Sequence, residues 1–165
     1  MFRLIAVSVL LPCLFMLPAS ASADGAGAVS STQTFHDVTQ VYHAGVDPGS
    51  SPFPCGIGTA IVTFTLNGVF HVTTLTSGPG AGTSWATGTM TGSITLVPDD
   101  ASLPRYTGRL TEWFGDNNNL QNGTEAFTGN LRLTGSDGST LTIHGVEHTT
   151  ITATGVTITF SKLTC

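Results

Sequence analysis

The sequence predicts an all-β fold, a single antiparallel meander that closes into an eight-stranded β-barrel, with a two-sheet β-sandwich as the alternative. Three observations carry this. Runs of alternating residues are cut by turn-forming ones, most plainly from Tyr106 to Cys165, where an Asn-rich loop, a Ser-Asp-Gly turn and a Thr-Gly turn separate four runs. Threonine is the commonest residue, with 28 copies, and suits half-buried pleated surface. Only 9% of the chain is charged and Lys162 is its one lysine, so an open sheet would lack the charges that normally guard its edges. Joining the last strand to the first removes the edges altogether.

The N-terminus reads as a secretory signal peptide over residues 1–23: cationic Arg3, the apolar run Leu4 to Leu17, then Ala21-Ser22-Ala23 before Asp24. That run is shorter than the ~20 residues needed to cross a bilayer, which argues against an uncleaved anchor. Cleavage after Ala23 leaves 142 residues with four cationic side chains against ten acidic ones. One domain fits that length, and the acidic balance makes nucleic acid and anionic membrane poor partners. No later segment is apolar enough to span a membrane, so the expected location is extracellular. In that oxidising setting Cys55 and Cys165 are expected to form a disulfide rather than a metal site, since zinc would want four ligands and no Cys-x-x-Cys is present.

Taken in order, residues 24–33 are expected to be a flexible N-terminal segment, and residues 34–165 the barrel. The first strand candidate is Thr34 to Tyr42, where Phe35, Val38, Val41 and Tyr42 fit no single period unless a bulge intervenes. Ala44 to Gly58, rich in proline and glycine, is a loop. Thr59 to Leu66 and Val69 to Thr76 flank Asn67-Gly68, a strong type I′ hairpin signal. That turn would place His71 on the face of Ala60, Val62, Phe64 and Leu66. Thr83 to Val97 is one long strand with Gly88 and Gly92 on the face of Met90, Ile94 and Leu96, suggesting bends.

Tyr106 to Phe114 puts Tyr106, Leu110 and Phe114 on one face with Glu112 among them. Glu125 to Thr134 follows, with Phe127, Leu131 and Leu133 on one side. A three-residue Ser136-Asp137-Gly138 loop, Gly138 being left-handed, would set Leu133 against Leu141 and Leu131 against Ile143, joining apolar to apolar and turning His144 and His148 outward. A two-residue Thr154-Gly155 turn would pair Ala153 with Val156, Ile151 with Ile158 and Thr149 with Phe160.

Glu112, Glu147 and His71 each fall on an otherwise apolar face in this register. Carboxylates and an imidazole drawn into one bore would have perturbed acidity and would be candidates for proton transfer or for holding a polar ligand. The plainer alternative turns each outward through a local bulge. Phe64, Tyr106, Leu110, Phe114 and Phe127 are the expected ligand-lining residues. No metal is expected: His144 and His148 would stand roughly 13 Å apart along a strand, and Asp116 to Asn119 lacks the spacing of a calcium loop. Asn122-Gly123-Thr124 matches a glycosylation sequon. Trp85 and Trp113 are expected as core or barrel-end plugs rather than a sugar- or lipid-binding surface. No nucleophile elbow, phosphate loop or dinucleotide fingerprint is present, and no cofactor is implied.

At "NGVFHVT", "YTGRLTEWFGDNNN", "GSDGS" and the terminal Cys165, the sequence resembles a group of small secreted proteins of high-GC Gram-positive bacteria. The resemblance runs from about Cys55 onward and carries no activity and no catalytic residue across. In strand count and size it also resembles lipocalin-like and allene-oxide-cyclase-like eight-stranded barrels, an analogy of fold alone. The functional expectation is an exported barrel that binds a small apolar or amphipathic ligand, or acts as an extracellular interaction module, without catalysis. The rival expectation is a metal-independent isomerase or lyase with Glu112 or Glu147 as general base, and the third a structural protein with a filled bore.

Overall fold

Alternation between side chains that face a core and side chains that face water runs along nearly the whole chain, and it builds one sheet. The structure is a computed structural model and describes residues 27–155 and 157–165; the expected signal peptide lies outside the described residues. Among the described residues seven antiparallel strands follow one another as a meander in the order β1 to β7: β1 Ala28–Ala44, β2 Ala60–Leu75, β3 Ser84–Pro98, β4 Tyr106–Asn118, β5 Gly123–Gly135, β6 Thr140–Ile151 and β7 Thr157–Thr164. There is one sheet among the described residues, not the two layers of a sandwich. β1 and β7 are its ends and do not pair, so the ring is not closed by hydrogen bonds.

The expected eighth strand does not exist because Asn67-Gly68 does not turn. β2 runs straight through both residues in unbroken register with β3, and neither has positive φ. The two residues serve the neighbouring strand instead. The Asn67 Oδ1 accepts a hydrogen bond from the Asp37 N–H at 3.1 Å, and the Phe35 ring lies over Gly68, where a methyl group would overlap it. Asp37, at φ 52°, sits in the bulge between Phe35 and Val38. That bulge turns Phe35, Val38 and Tyr42 to one face, while Val41, the fourth residue the expected bulge was to reconcile, stays exposed. β1 also starts earlier than expected, at Ala28.

Pairing across β5 and β6 sets Leu133 against Leu141 and Leu131 against Ile143, with Gly138 at φ 83° closing the loop. The last hairpin is one residue out of the expected register: Ile151 lies opposite Thr157 and Thr149 opposite Thr159, while Phe160 pairs with His148 and is exposed. Val156, the expected partner of Ala153, lies outside the described residues. The physical reason is at the chain end. Leu163 pairs with Gly145 and packs on the core, and an inward Leu163 puts Cys165 on the same side, where it bonds Cys55. The expected register would have turned Lys162 inward.

The core lies at one end of the sheet, here the closed end, where the β1–β2, β3–β4 and β5–β6 connections and the C-terminus meet. Ala60, Val62, Phe64 and Leu66 of β2, Ile94 and Leu96 of β3, Tyr106 and Leu110 of β4, Leu133 of β5 and Ile143 of β6 are buried there. Phe35 and Tyr42 from β1 and Leu163 from β7 pack against the same cluster, so the sheet curls around one centre. Each fully buried aliphatic side chain contributes about 1.5–3 kcal/mol. The β1–β2 loop folds over this end and buries Phe53 and Ile57, held by a two-way backbone bridge between Phe53 and Gly58. Cys55, in that loop, bonds Cys165 with α-carbons 5.7 Å apart across a sequence separation of 110.

Candidate functional site on the concave face

Beyond the core, toward the open end, the inward positions change character. The next tier across the sheet reads Phe35, Gly68, Met90, Glu112, Gly129, Gly145 and Leu163, and the tier after it Phe70, Gly88, Phe114, Phe127, Glu147 and Ser161. Phe35 stacks on Phe70 with ring centroids 5.3 Å apart, and Phe70 meets Phe114 at 5.2 Å. The rings gather because Gly88 has no side chain: a methyl group there would overlap both Phe114 and Phe70. None of these rings, nor Phe127 and Met90, is fully buried. They form a half-buried apolar floor rather than a sealed core.

Glu112 stands at the boundary between core and floor, one tier above Leu110 and one below Phe114, with Met90 and Gly129 as its strand neighbours. Gly129 and Gly145 lie in succession beside it; both are buried, the Phe127 ring lying over Gly129 and the Leu163 side chain reaching Gly145. Among the described residues no hydrogen bond and no cation reaches that carboxylate. Burial pushes its pKa up to about 7, because an ionised carboxylate loses hydration that nothing here replaces. Across the curl, Tyr42 of β1 stacks on Phe64 at 6.1 Å. Its phenol is pushed up to about 12, first by burial and then by the charge of Glu112. Two strands from one end of the sheet and its centre thus feel one another through the interior.

Further acids follow toward the rim. Glu147 lies on the same concave face, opposite Phe127. From Glu112 it is two strands and two residues away, roughly 12 Å between α-carbons in a flat sheet. Asp116 and Glu125 face each other across β4 and β5 one tier higher. The cations are elsewhere: no Lys, Arg or His occupies an inward position of β2 to β7, and Arg105, Arg109, Arg132 and Lys162 are all exposed.

The expected site residues therefore divide. Glu112 and Glu147 share the concave face. His71 does not: with β2 continuous it faces outward, its Nδ1 2.9 Å from the Thr32 hydroxyl and its Nε2 3.3 Å from that of Thr73. Of the expected lining, Phe64, Tyr106 and Leu110 are packed into the core, while Phe114 and Phe127 stand on the floor. Trp85 and Trp113 are neither core nor plugs. They lie on the convex face at 37% and 43% exposure, Trp113 with its ring over Gly115.

His144 and His148 also face outward, the former with Nδ1 2.7 Å from Asn130 Oδ1. Asn118 and Asn119 spend their side-chain oxygens on the backbone of their own turn, and Asn122 accepts a hydrogen bond from Ala153 N–H. No group of metal-ligating side chains gathers among the described residues. Sequence reasoning missed Phe35, Phe70 and Met90 as floor residues and Asp116 and Glu125 as rim acids. Reading β2 through Asn67-Gly68 would have found Phe70, since even positions from Ala60 onward keep one face.

Comparison with models of protein families, with curated proteins and with solved structures returns no match.

Proposed function

We propose that the protein is an exported, non-catalytic binder of a small apolar or amphipathic molecule, which it takes up on the concave floor of the curled sheet. One observation carries this reading: Phe35, Phe70, Phe114, Phe127 and Met90 converge on the inner side of the sheet yet none is fully buried. A floor of rings that self-packing leaves half-covered gains stability when a ligand completes the burial. In this reading the sheet acts as a barrel with its seam between β1 and β7, held at one end by the Cys55–Cys165 bond. Export is supported by that bond and by the N-terminal pattern, and sequencing of the secreted product is expected to begin at Asp24.

Glu112 favours a second reading. A carboxylate poised near neutrality is suited to general-base work, so a metal-independent isomerase or lyase remains the alternative function. The two readings part on what surrounds that carboxylate. Proton abstraction next to a carbonyl needs donors to hold the developing oxyanion; the strand neighbours of Glu112 are Met90 and Gly129, and the donor on its side of the interior is the Tyr42 phenol.

The test is titration with octanol followed by NMR of the labelled methyl and aromatic groups. Saturable shifts at Met90, Phe114 and Phe127 are expected. Shifts absent there for every amphiphile offered, charged or neutral, would overturn the binding function.

A further inference from the structure

Charge is sorted between the two faces of the sheet in a way that the stability of the empty protein does not explain. Asp116 and Glu125 are direct cross-strand partners on the concave side, and like charges placed opposite one another destabilise a sheet. Arg109 and Arg132 are direct partners on the convex side, which is unfavourable for the same reason. Exchanging one member of each pair would relieve both. Instead the acids are kept together around the aromatic floor, with Glu112 inside it and Glu147 at its side. The one ion pair among the described residues, His43 with Asp99 at 2.8 Å, lies outside this region. The concave face therefore combines half-buried rings with a carboxylate that has no ion-pair partner among the described residues.

We propose that the ligand of the concave face is an amphipathic organic cation, an amine carrying an apolar body, whose ammonium group is neutralised by Glu112 while its hydrocarbon lies on Phe70, Phe114 and Phe127. This rests on the binding function proposed above and specifies its chemistry. The ammonium supplies what the site lacks. It gives Glu112 a counter-ion and hydrogen-bond donors in an apolar setting, where a charge-assisted bond is strong. Beside the carboxylate the Phe127 ring lies over Gly129, and the half-buried rings add attraction between cation and aromatic face. Asp116, Glu125 and Glu147 set a negative potential along the path from the rim, which favours a cation and disfavours an anion of the same shape.

Three probes that share one hydrocarbon chain separate the possibilities: octylamine, octanol and octanoate, titrated by calorimetry and NMR at pH 8, where Glu112 is largely ionised. Octylamine is expected to bind about tenfold or more tighter than octanol, and octanoate weakest, as one counter-ion at an intermediate effective dielectric implies. Glu112→Gln is expected to cut octylamine affinity by about tenfold and to leave octanol unchanged. The double variant Asp116→Asn with Glu125→Gln, at the exposed rim, is expected to lower octylamine affinity by about two- to threefold and to weaken its salt dependence. Octanol or octanoate binding as tightly as octylamine, or an E112Q protein that keeps full preference for the amine, would overturn the cation and leave the apolar floor standing. No binding of any of the three overturns both.

Discussion

The same seven strands build two different interiors. At the closed end the inward side chains are Val62, Phe64, Ile94, Leu96 and Leu133, a plug of Phe53 and Ile57 covers them, and the Cys55–Cys165 bond pins the plug. Two tiers further along, the inward positions hold glycines, phenylalanines and acids, and no loop residue joins them in the core cluster. Strand geometry is continuous across the boundary, with β2, β3 and β4 crossing it in unbroken register. What changes is side-chain volume and polarity. One end is filled by the chain itself. The other is left for something else to fill, and Glu112 marks the line between them.

That contrast can be broken or sharpened by measurement. Replacing Cys55 and Cys165 together by serine is expected to have the largest effect. Opening a cross-link of this span costs about 4–5 kcal/mol in the chain-entropy account, and denaturant unfolding would register it. A loss below about 1 kcal/mol would mean that the closed end holds without its clasp.

Next comes a matched pair of truncations. Ile94→Ala, in the filled end, is expected to cost about 2–5 kcal/mol, and Phe127→Ala, on the half-covered floor, less than about 2 kcal/mol while weakening ligand binding. Equal costs would erase the distinction between the two interiors.

Glu112 gives a pH signature with a defined sign. Its folded pKa, about 7, exceeds the ordinary value of 4.5, so between those values the folded protein holds more protons than the unfolded chain. Stability therefore falls as pH rises through that window, by an amount on the order of 3 kcal/mol. Asp99, Asp100 and Asp137 act oppositely and at lower pH. Hydrogen bonds from Thr59 and then His43 hold Asp99 below the usual carboxylate range, and bonds from Ser102 and Ser139 do the same for Asp100 and Asp137. Their stabilisation is lost as acid protonates them. Thermal melts from pH 5 to 8 should show the decline in the natural protein and a flat profile in E112Q; a decline that survives in E112Q assigns it to another group.

A smaller effect is expected from Gly88→Ala. The added methyl meets the Phe70 and Phe114 rings and should cost about 1–3 kcal/mol as they are forced apart, with loss of their ring-current shifts in the NMR spectrum. A neutral substitution would mean the rings are not gathered over that glycine.

Legibility of the fold followed the same divide. Among the residues that form or pack against the core cluster, the pattern in the sequence was enough. The bulge needed to align Phe35 with Tyr42 is present, and the rule that apolar residues meet apolar residues fixed the β5–β6 register. Where burial is partial, local signals misled. Asn67-Gly68 has the residues of a tight turn, yet tertiary use of the Asn67 amide and of the space over Gly68 overrides it; that one error created an eighth strand and moved His71 to the wrong face. The β6–β7 register expected from a two-residue Thr154-Gly155 turn would have brought Phe160 inward, where the structure leaves it exposed; the far-off demand that Cys165 reach Cys55 sets the register instead. Trp85 and Trp113 were expected as core or barrel-end plugs, but their odd positions in β3 and β4 send them out. Glu112 was legible because its strand is unambiguous, while the rim pair Asp116 and Glu125 required cross-strand register to be noticed at all.

The most direct test of the divided interior is where a bound amphiphile touches the protein. Intermolecular NOEs from the octylamine chain are expected at the Met90 methyl and at the Phe114 and Phe127 rings, and absent from Ile94 and Leu96 in the filled end. NOEs confined to Trp85 and Trp113 on the convex face would contradict the account.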